Sequence, residues 1–363
     1  MKFGIWTPLP HTIRAEPAMD AALLQFKTHQ VTEGPDRAYA FAVDVVRQAE
    51  AYGFDITLIA ERFLGPDLEA WTLATALATA TTTMEMMVAV HPGIVTPQVV
   101  AKMGASLDRI SGGRFAINIV NGWWKQEFDL FSNGGWISDP DRRYPRMREF
   151  IEVIKGLWTE PAFTFKGEFY QANLPEALKG EVTKVVAPKL GELPTRARRL
   201  PHPPIYAASR SPIGKAIIAE LCDVWFVEYK PGYRNFEDNF ARIANDVREM
   251  NELCARYGRS ISFGINPQVI CTETMKEAEA QADALEDPNN KDRISNALGA
   301  GLVGTPELIA ERIRRYEDIG VECLMLRFSP MLEGVVTFGR EVIPRLRARE
   351  VDCGVAPAVR RAH

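Results

Sequence analysis

Short apolar runs with little polar alternation recur along the chain. Most are followed by a stretch whose apolar residues repeat at three and four, and this ordering constrains the fold more than any other feature. The runs are Phe3–Trp6, Phe54–Ala60, Met84–Val90, Arg114–Val120, Pro204–Ser209, Asp223–Tyr229, Ser260–Cys271 and Glu322–Phe328. Between them lie the helical patterns Ala38–Tyr52, closed by Gly53, then Trp71–Ala80, Gln98–Ile110, Arg146–Trp158, Ile213–Cys222, Asn235–Tyr257, a segment ending near Ala284, Pro306–Ile319 and Val335–Arg347. Strands that read as unbroken apolar runs are covered on both faces, and strand-helix alternation makes neighbouring strands parallel. About eight such units close most economically into an α/β (β/α)8 TIM barrel with insertions, one domain over residues 1–363. The competing open, doubly wound sheet lacks its anchor, because no G-x-G-x-x-G follows the first strand.

Composition then removes several function classes. A net charge of -4, from 43 basic and 47 acidic residues, leaves no cation excess to neutralise a nucleic-acid backbone. The local run Arg196, Arg198, Arg199 sits among prolines and reads as a solvated connection. The 5 cysteines are widely spaced and form no C-x-x-C pair, which argues against a disulfide framework and a structural zinc site. The N-terminus has no signal-peptide pattern and no apolar stretch is long enough to span a bilayer, so a cytoplasmic location without membrane association is expected. Residues 171–204 carry 6 Pro and no sustained periodicity, as a lid or insertion would.

In a barrel the chemistry lies at the C-terminal ends of the strands and in the loops after them. Those positions hold Glu61 and Arg62, His91, Asn118 and Glu127, Ser209, Arg210 and Ser211, Glu228 and Tyr229, Asn266 and Gln268, and Arg327. With 5 histidines and no pair at ligand spacing, no metal site is expected. No G-x-S-x-G elbow is present for a hydrolase triad, and nothing in the spacing selects a carboxylate pair from Glu61, Glu127, Glu228 and Glu333. In AASRSPIGKA, Ser211 fits an N-cap and Pro212 the first helical position. The helix then starts with free N–H groups, and with the Ser209 and Ser211 hydroxyls these make a phosphate seat, against the plainer reading of an ordinary Ser-Pro helix start. Asn118 leaves a buried strand with an amide able to read the edge of a heterocycle, and Glu127, Arg143 and Tyr144 add charge and a ring; loop capping is the plainer alternative.

The segments HPGIVTPQVVAKMGASLDRISGGRFAINIVNGWWKQEF, DRRYPRMREFIEVIKGLW, FKGEFY, PPIYAASRSP and GLVGTPELIAERIRRYEDIGVECLMLRFSPMLEG, in this order, resemble the bacterial luciferase-like flavin monooxygenases. Within that family the chain looks closest to the two-component enzymes using reduced FMN: the dimethyl sulfone and alkanesulfonate monooxygenases and the pyrimidine-ring-opening monooxygenase. The resemblance covers nearly the whole chain. It implies a (β/α)8 barrel, a homodimer or homotetramer, and flavin contacts at Glu61, Arg62, Asn118, Glu127, Arg143, Tyr144 and Ser211. It also implies a non-proline cis peptide near Ala89 and Val90. The chain departs from the alkanesulfonate branch, which carries a cysteine after the second strand and Arg-x-His on the seventh. Here RFLGPDLEAW has no cysteine and the pair reads Asn266, Pro267, Gln268, which disfavours a longer-chain sulfonate.

The expected activity is therefore an FMNH2- and O2-dependent monooxygenation of a small sulfone or alkanesulfonate with C–S cleavage, with reduced FMN supplied by an NAD(P)H-dependent flavin reductase. Arg62, Arg210 and Arg327 are the candidates to hold sulfur oxygens, and His91, with Arg62, is the candidate catalytic group. The alternatives are the same cofactor used on an amide or N-heterocycle, a flavin-binding protein without turnover, and a carboxylate-pair hydrolase.

Overall fold

Eight of the apolar runs form parallel strands whose two faces are both covered: β1 (Lys2–Trp6), β2 (Ile56–Ile59), β3 (Glu85–Val90), β4 (Phe115–Ile119), β5 (Ile205–Ala207), β6 (Val224–Phe226), β7 (Ser262–Ile265) and β8 (Val321–Leu326). The computed structural model describes residues 1–10, 36–122, 124–132, 135–160, 163–173, 201–286 and 297–352. Each strand pairs with its neighbour in the chain, and β8 returns to β1, so the sheet is a closed barrel. Its register runs through Gly4↔Ile56, Ile56↔Glu85, Met86↔Phe115, Ile117↔Ile205, Tyr206↔Val224, Val224↔Ser262, Val321↔Phe263 and Lys2↔Cys323.

Because side chains alternate along a strand, the register sorts each one to the inside or outside. Ile56, Leu58, Met87, Ala89, Ala116, Tyr206, Val224, Phe226, Cys323 and Met325 fill the interior. The Tyr206 and Phe226 rings stack there at 5.5 Å. Space inside is so short that a Cβ on Gly4 would lie 2.4 Å from the Met325 sulfur. The intervening residues, among them Val88, Val90, Ile117, Ile119, Leu324 and Leu326, face outward and join the helices in the larger core. Each fully buried side chain of this kind contributes roughly 1.5–3 kcal/mol.

The surrounding helices are α1 (Arg37–Ala51), α2 (Ala70–Ala80), α3 (Pro97–Ser111), α4 (Lys125–Phe131), α5 (Pro140–Thr159), α6 (Pro212–Leu221), α7 (Phe236–Arg256), α8 (Met275–Glu286), α9 (Pro306–Asp318), α10 (Met331–Glu341) and α11 (Ile343–Asp352). Their starts follow the sequence signals: Asp36, Ser211 and Thr305 accept hydrogen bonds from first-turn N–H groups, and Pro opens α3, α5, α6 and α9. Gly112, at φ 68, ends α3 in the left-handed conformation that a side chain would strain.

Several boundaries differ from the sequence reading. The run from Ser260 to Cys271 is not one strand: β7 ends at Ile265, and Ile270–Cys271 pairs instead with Val303–Gly304. Pro267 lacks the N–H that a continuing ladder needs. The helix expected at Val335–Arg347 is two, because Pro344 has no N–H to continue α10. Helix α5 begins at Pro140 and carries Pro145 within it, and its cap is Asp139, whose carboxylate accepts from the Asp141 N–H at 2.9 Å. The peptide near Ala89 and Val90 is not cis: both residues keep regular parallel register with Asn118 and Ile119, and the cis bond among the described residues is Ser329–Pro330. Most of the anticipated lid, together with Arg196, Arg198 and Arg199, lies outside the described residues. Among the described residues no helix is long and apolar enough to cross a membrane.

Candidate active site

The interior facing fixed by the register carries Asn118 into the barrel, two residues beyond Ala116 and beside Ala89 on β3 and Tyr206 on β5. By the same alternation Arg327 follows Met325 on β8, and His91 follows Ala89 on β3. These side chains gather at the C-terminal end of the barrel.

On the β5 side, the turn into α6 builds a hydroxyl cradle. Ser211 caps the helix, with its Oγ accepting from the Gly214 N–H at 3.1 Å. Ser209 Oγ accepts from the Ser211 N–H at 3.1 Å and lies 2.9 Å from the Tyr144 hydroxyl, which reaches over from α5. A Cβ on Gly214 would stand 2.1 Å from Ser209 Oγ and 2.4 Å from Tyr144 Cε1, so the helix backbone presses directly against the hydroxyl pair. Hydroxyl donors and the positive end of a helix dipole are suited to an anion. Ser209 and Ser211, expected to hold a phosphate, thus touch each other and Tyr144, whereas Arg143, expected with Tyr144 among the flavin contacts, is turned to the loop. Its guanidinium donates to the carbonyls of Ile137 at 2.7 Å and Gly122 at 3.0 Å and lies 4.0 Å from the Trp136 ring centroid. Arg210 is mostly exposed and pairs with Glu228 at the rim of a cavity of about 230 Å³ lined also by Ser209, Lys215 and Tyr229.

On the β2–β4 side, Glu127 is 2% exposed and its Oε1 accepts from the N–H groups of Phe63 at 3.0 Å and Leu64 at 3.2 Å. The same oxygen lies 3.8 Å from Arg62 Nε, and the Arg62 guanidinium sits 4.1 Å from the Trp124 ring centroid. Glu127 therefore fixes the loop that carries Arg62. His91 is buried against Phe128, with Nε2 3.4 Å from the Glu61 carbonyl oxygen and, among the described residues, no hydrogen-bond partner for Nδ1. Burial pushes its pKa down, so the ring is neutral at pH 7.

The Glu61 carboxyl turns to the start of α2, beside the Ala70 N–H and the Glu69 carboxyl. Burial first, and the charge of Glu69 second, push its pKa from 4.5 up to about 8, so it keeps its proton at neutral pH. The sign for stability follows from linkage. A raised folded-state pKa means that the folded form binds the extra proton, so the contribution is complete below 4.5 and is lost as pH rises through about 8. Glu61→Gln, a neutral isostere, is expected to flatten that slope. Urea unfolding between pH 5 and 9 should show the wild type losing about 4 kcal/mol relative to the variant, and parallel curves would refute the assignment.

A third group lies across β1, β8 and the chain leaving β7. Arg327 places its guanidinium 3.7 Å from the Trp6 ring centroid, and the Tyr229 hydroxyl donates to the Asn266 carbonyl at 2.7 Å. Trp6 has no place among the sequence-derived site residues, although its position at the end of the first strand marks it as one. Arg146 is likewise absent from them: it is buried, donates to the Gly135 carbonyl and lies 5.5 Å from the Phe128 centroid. Nothing in its helical context distinguishes it from a surface arginine.

The profile of a family described as luciferase-like monooxygenase matches residues 1–323. An FMNH(2)-dependent dimethylsulfone monooxygenase of Pseudomonas putida is 30% identical over 348 residues, covering 86% of this chain and 89% of its own. A protein of the same description from Pseudomonas fluorescens (strain Pf0-1) is 27% identical, covering 96% of this chain and 95% of its own. Among solved structures, a riboflavin lyase with modified FMN and riboflavin superposes with a TM-score of 0.72 at 16% identity, over 100% of this chain and 94% of that one, a likeness of fold.

Proposed function

The chain belongs to the luciferase-like monooxygenase family, and from that premise we propose that it is a two-component, FMNH2- and O2-dependent monooxygenase of a small organosulfur compound, a sulfone or alkanesulfonate, that cleaves a C–S bond. The monooxygenase class and the reduced FMN rest on relatives that align over most of the chain and are named for that cofactor. The observation in this chain that carries the cofactor reading is the contact of Tyr144, Ser209 and Ser211 at the start of α6, beside an interior-facing Asn118. The cradle fits a phosphate, and the barrel mouth next to it fits a ring that an amide can read.

When bound, reduced FMN supplies the two electrons with which one atom of O2 enters the product and the other leaves as water. The chain's own residues do the rest. Tyr144, Ser209 and the first turn of α6 hold the phosphate, and Asn118 orients the ring. Arg62, held by Glu127 and Trp124, brings positive charge to the edge of the site. Glu61 and Arg143 stand behind these groups and fix the α2 start and the loop after β4. Neutral His91 is placed to accept a proton, and Arg327 and Arg210 to hold substrate oxygens. The reduced flavin comes from a separate NAD(P)H-dependent reductase, and the enzyme works as a cytoplasmic homodimer or homotetramer.

The test is turnover with a flavin reductase and NADH on dimethyl sulfone, methanesulfonate and uracil. A sulfur substrate should release formaldehyde, together with methanesulfinate from the sulfone or sulfite from the sulfonate, in step with O2 consumed. Activity on uracil alone would refute the sulfur assignment.

A further inference from the structure

The cavity of about 230 Å³ beside the phosphate seat carries more positive charge than the seat itself. Tyr144, Ser209 and Ser211 offer hydroxyls and the first turn of α6, while Arg143, next to Tyr144 in the chain, is turned to the carbonyls of Ile137 and Gly122. The cations stand one step outward. Ser209 belongs to both seat and cavity, and from it the walls run between α6, the end of β6 and α7. Arg210, Lys215, Lys230 and Arg242 line this groove with Glu228 and Asp246, so four cations against two carboxylates leave a surplus of two. Glu228 is held by Arg210, and Asp246 by Lys215 at 3.1 Å and Arg242 at 3.9 Å; Lys230 is left over. The wall holds a second sign of a ligand. Trp225 is 2% exposed, its ring centroid lies 4.9 Å from Lys215 Nζ, and its Nε1, which can only donate, has no hydrogen-bond partner among the described residues. Buried polar atoms are nearly always paired, so an idle indole N–H in the wall of a cationic groove marks a place for an acceptor that the chain does not supply.

The position of these groups narrows the ligand. A surplus of cations and a donor without lone pairs select an anion rich in acceptors, and the shared Ser209 puts that anion directly beside the flavin phosphate. Two separate phosphates so close repel each other, whereas two phosphates joined through a bridging oxygen are held at that spacing by covalent bonds and each keep a single negative charge. A seat of hydroxyls and a helix start, with no guanidinium of its own, suits a phosphate that shares its charge with a neighbour. Resting on the reduced-flavin reading above, we infer that the groove between α6 and α7 is a second phosphate subsite, and that the protein takes its flavin as the dinucleotide FAD as readily as the mononucleotide. The FMN half keeps its place at Tyr144, Ser209 and Ser211. Trp225 Nε1 donates to the second phosphate, Lys215 and Lys230 balance it, and the nucleoside leaves toward solvent past Arg242, which is 49% exposed. The end of the flavin at the barrel mouth is the same in both forms, so the second phosphate adds affinity without touching the reaction.

The experiment is fluorescence titration of the full-length protein with oxidised FMN and with FAD, so the readout does not depend on turnover. The wild type should bind FAD no more than fivefold weaker than FMN. The double variant Lys230→Glu, Arg242→Glu changes two exposed positions outside the seat, and it should weaken FAD at least tenfold while FMN changes less than twofold. Trp225→Phe, which keeps an aromatic ring and removes the donor, should weaken FAD at least threefold and spare FMN in the same way. The retained FMN affinity shows that each variant is folded. A wider gap between FAD and FMN in the wild type would overturn the inference, as would a smaller loss of FAD in either variant. FMN weakened as much as FAD would overturn it too, because the cations would then balance the flavin phosphate itself. Binding of FMN without FAD removes the subsite and leaves the cofactor reading standing; failure of the wild type to bind FMN removes that reading instead.

Discussion

Ser211→Asp is expected to lower the affinity for FMN at least about 100-fold while leaving the helix it caps intact. Asp is as good an N-cap as Ser, so the hydrogen bond from the Gly214 N–H persists and α6 keeps its start. What changes is the sign of the charge at that start. A carboxylate ~5 Å from a phosphate dianion at an effective dielectric constant of ~40 costs about 3 kcal/mol, which is about two decades in affinity. The variant should unfold at the wild-type denaturant midpoint and lose FMN in a fluorescence titration. Undiminished affinity would place the phosphate elsewhere, since Tyr144, Ser209 and Ser211 form one contiguous contact.

Arg114→Met is expected to produce the largest loss of stability, about 3 kcal/mol in urea unfolding, with little direct effect on the site. Arg114 opens β4 at the end opposite the site and donates to the carbonyls of Ser111 at 2.7 Å, Met84 at 2.7 Å and Ala78 at 2.8 Å. Two of those carbonyls belong to the C-terminal turns of α2 and α3, where a cation also meets the negative ends of the helix dipoles. Methionine keeps most of the apolar stem and removes every donor, so the loss reads the charge-assisted hydrogen bonds, worth roughly 1.5–3 kcal/mol each before water repairs some of them. A change below about 1 kcal/mol would show that solvent replaces the guanidinium at no cost.

Arg114 also shows what a sequence can and cannot convey. Within Ser-Gly-Gly-Arg it served as a marker of resemblance, and the structure supplies the reason: Gly112 stops α3 and the arginine ties that stop to the end of α2 and the residue before β3. All eight barrel strands were legible because burial on both faces leaves an unbroken apolar run in the chain. Two of the boundary errors fell at Pro267 and Pro344, where one missing N–H outweighs an apolar pattern that otherwise continues. Ser209 and Ser211 were legible because a cap and its proline are local signals. The idle indole N–H of Trp225 was not, because whether a polar atom has a partner depends on elements far away in the chain. Charge was the weakest guide: Arg143, Arg146 and Arg327 look alike in the sequence, yet the structure gives the first to loop carbonyls, buries the second over Phe128 and stacks the third on Trp6.

The stacked Tyr206 and Phe226 and the crowded approach of Gly4 to Met325 stopper the barrel from below. Among the described residues the barrel is filled at that end, which leaves the C-terminal end of the strands as the side where cofactor, substrate and product would queue. The plug and the rim can then diverge at different rates, because residues at the open end can be exchanged without loosening the masonry beneath.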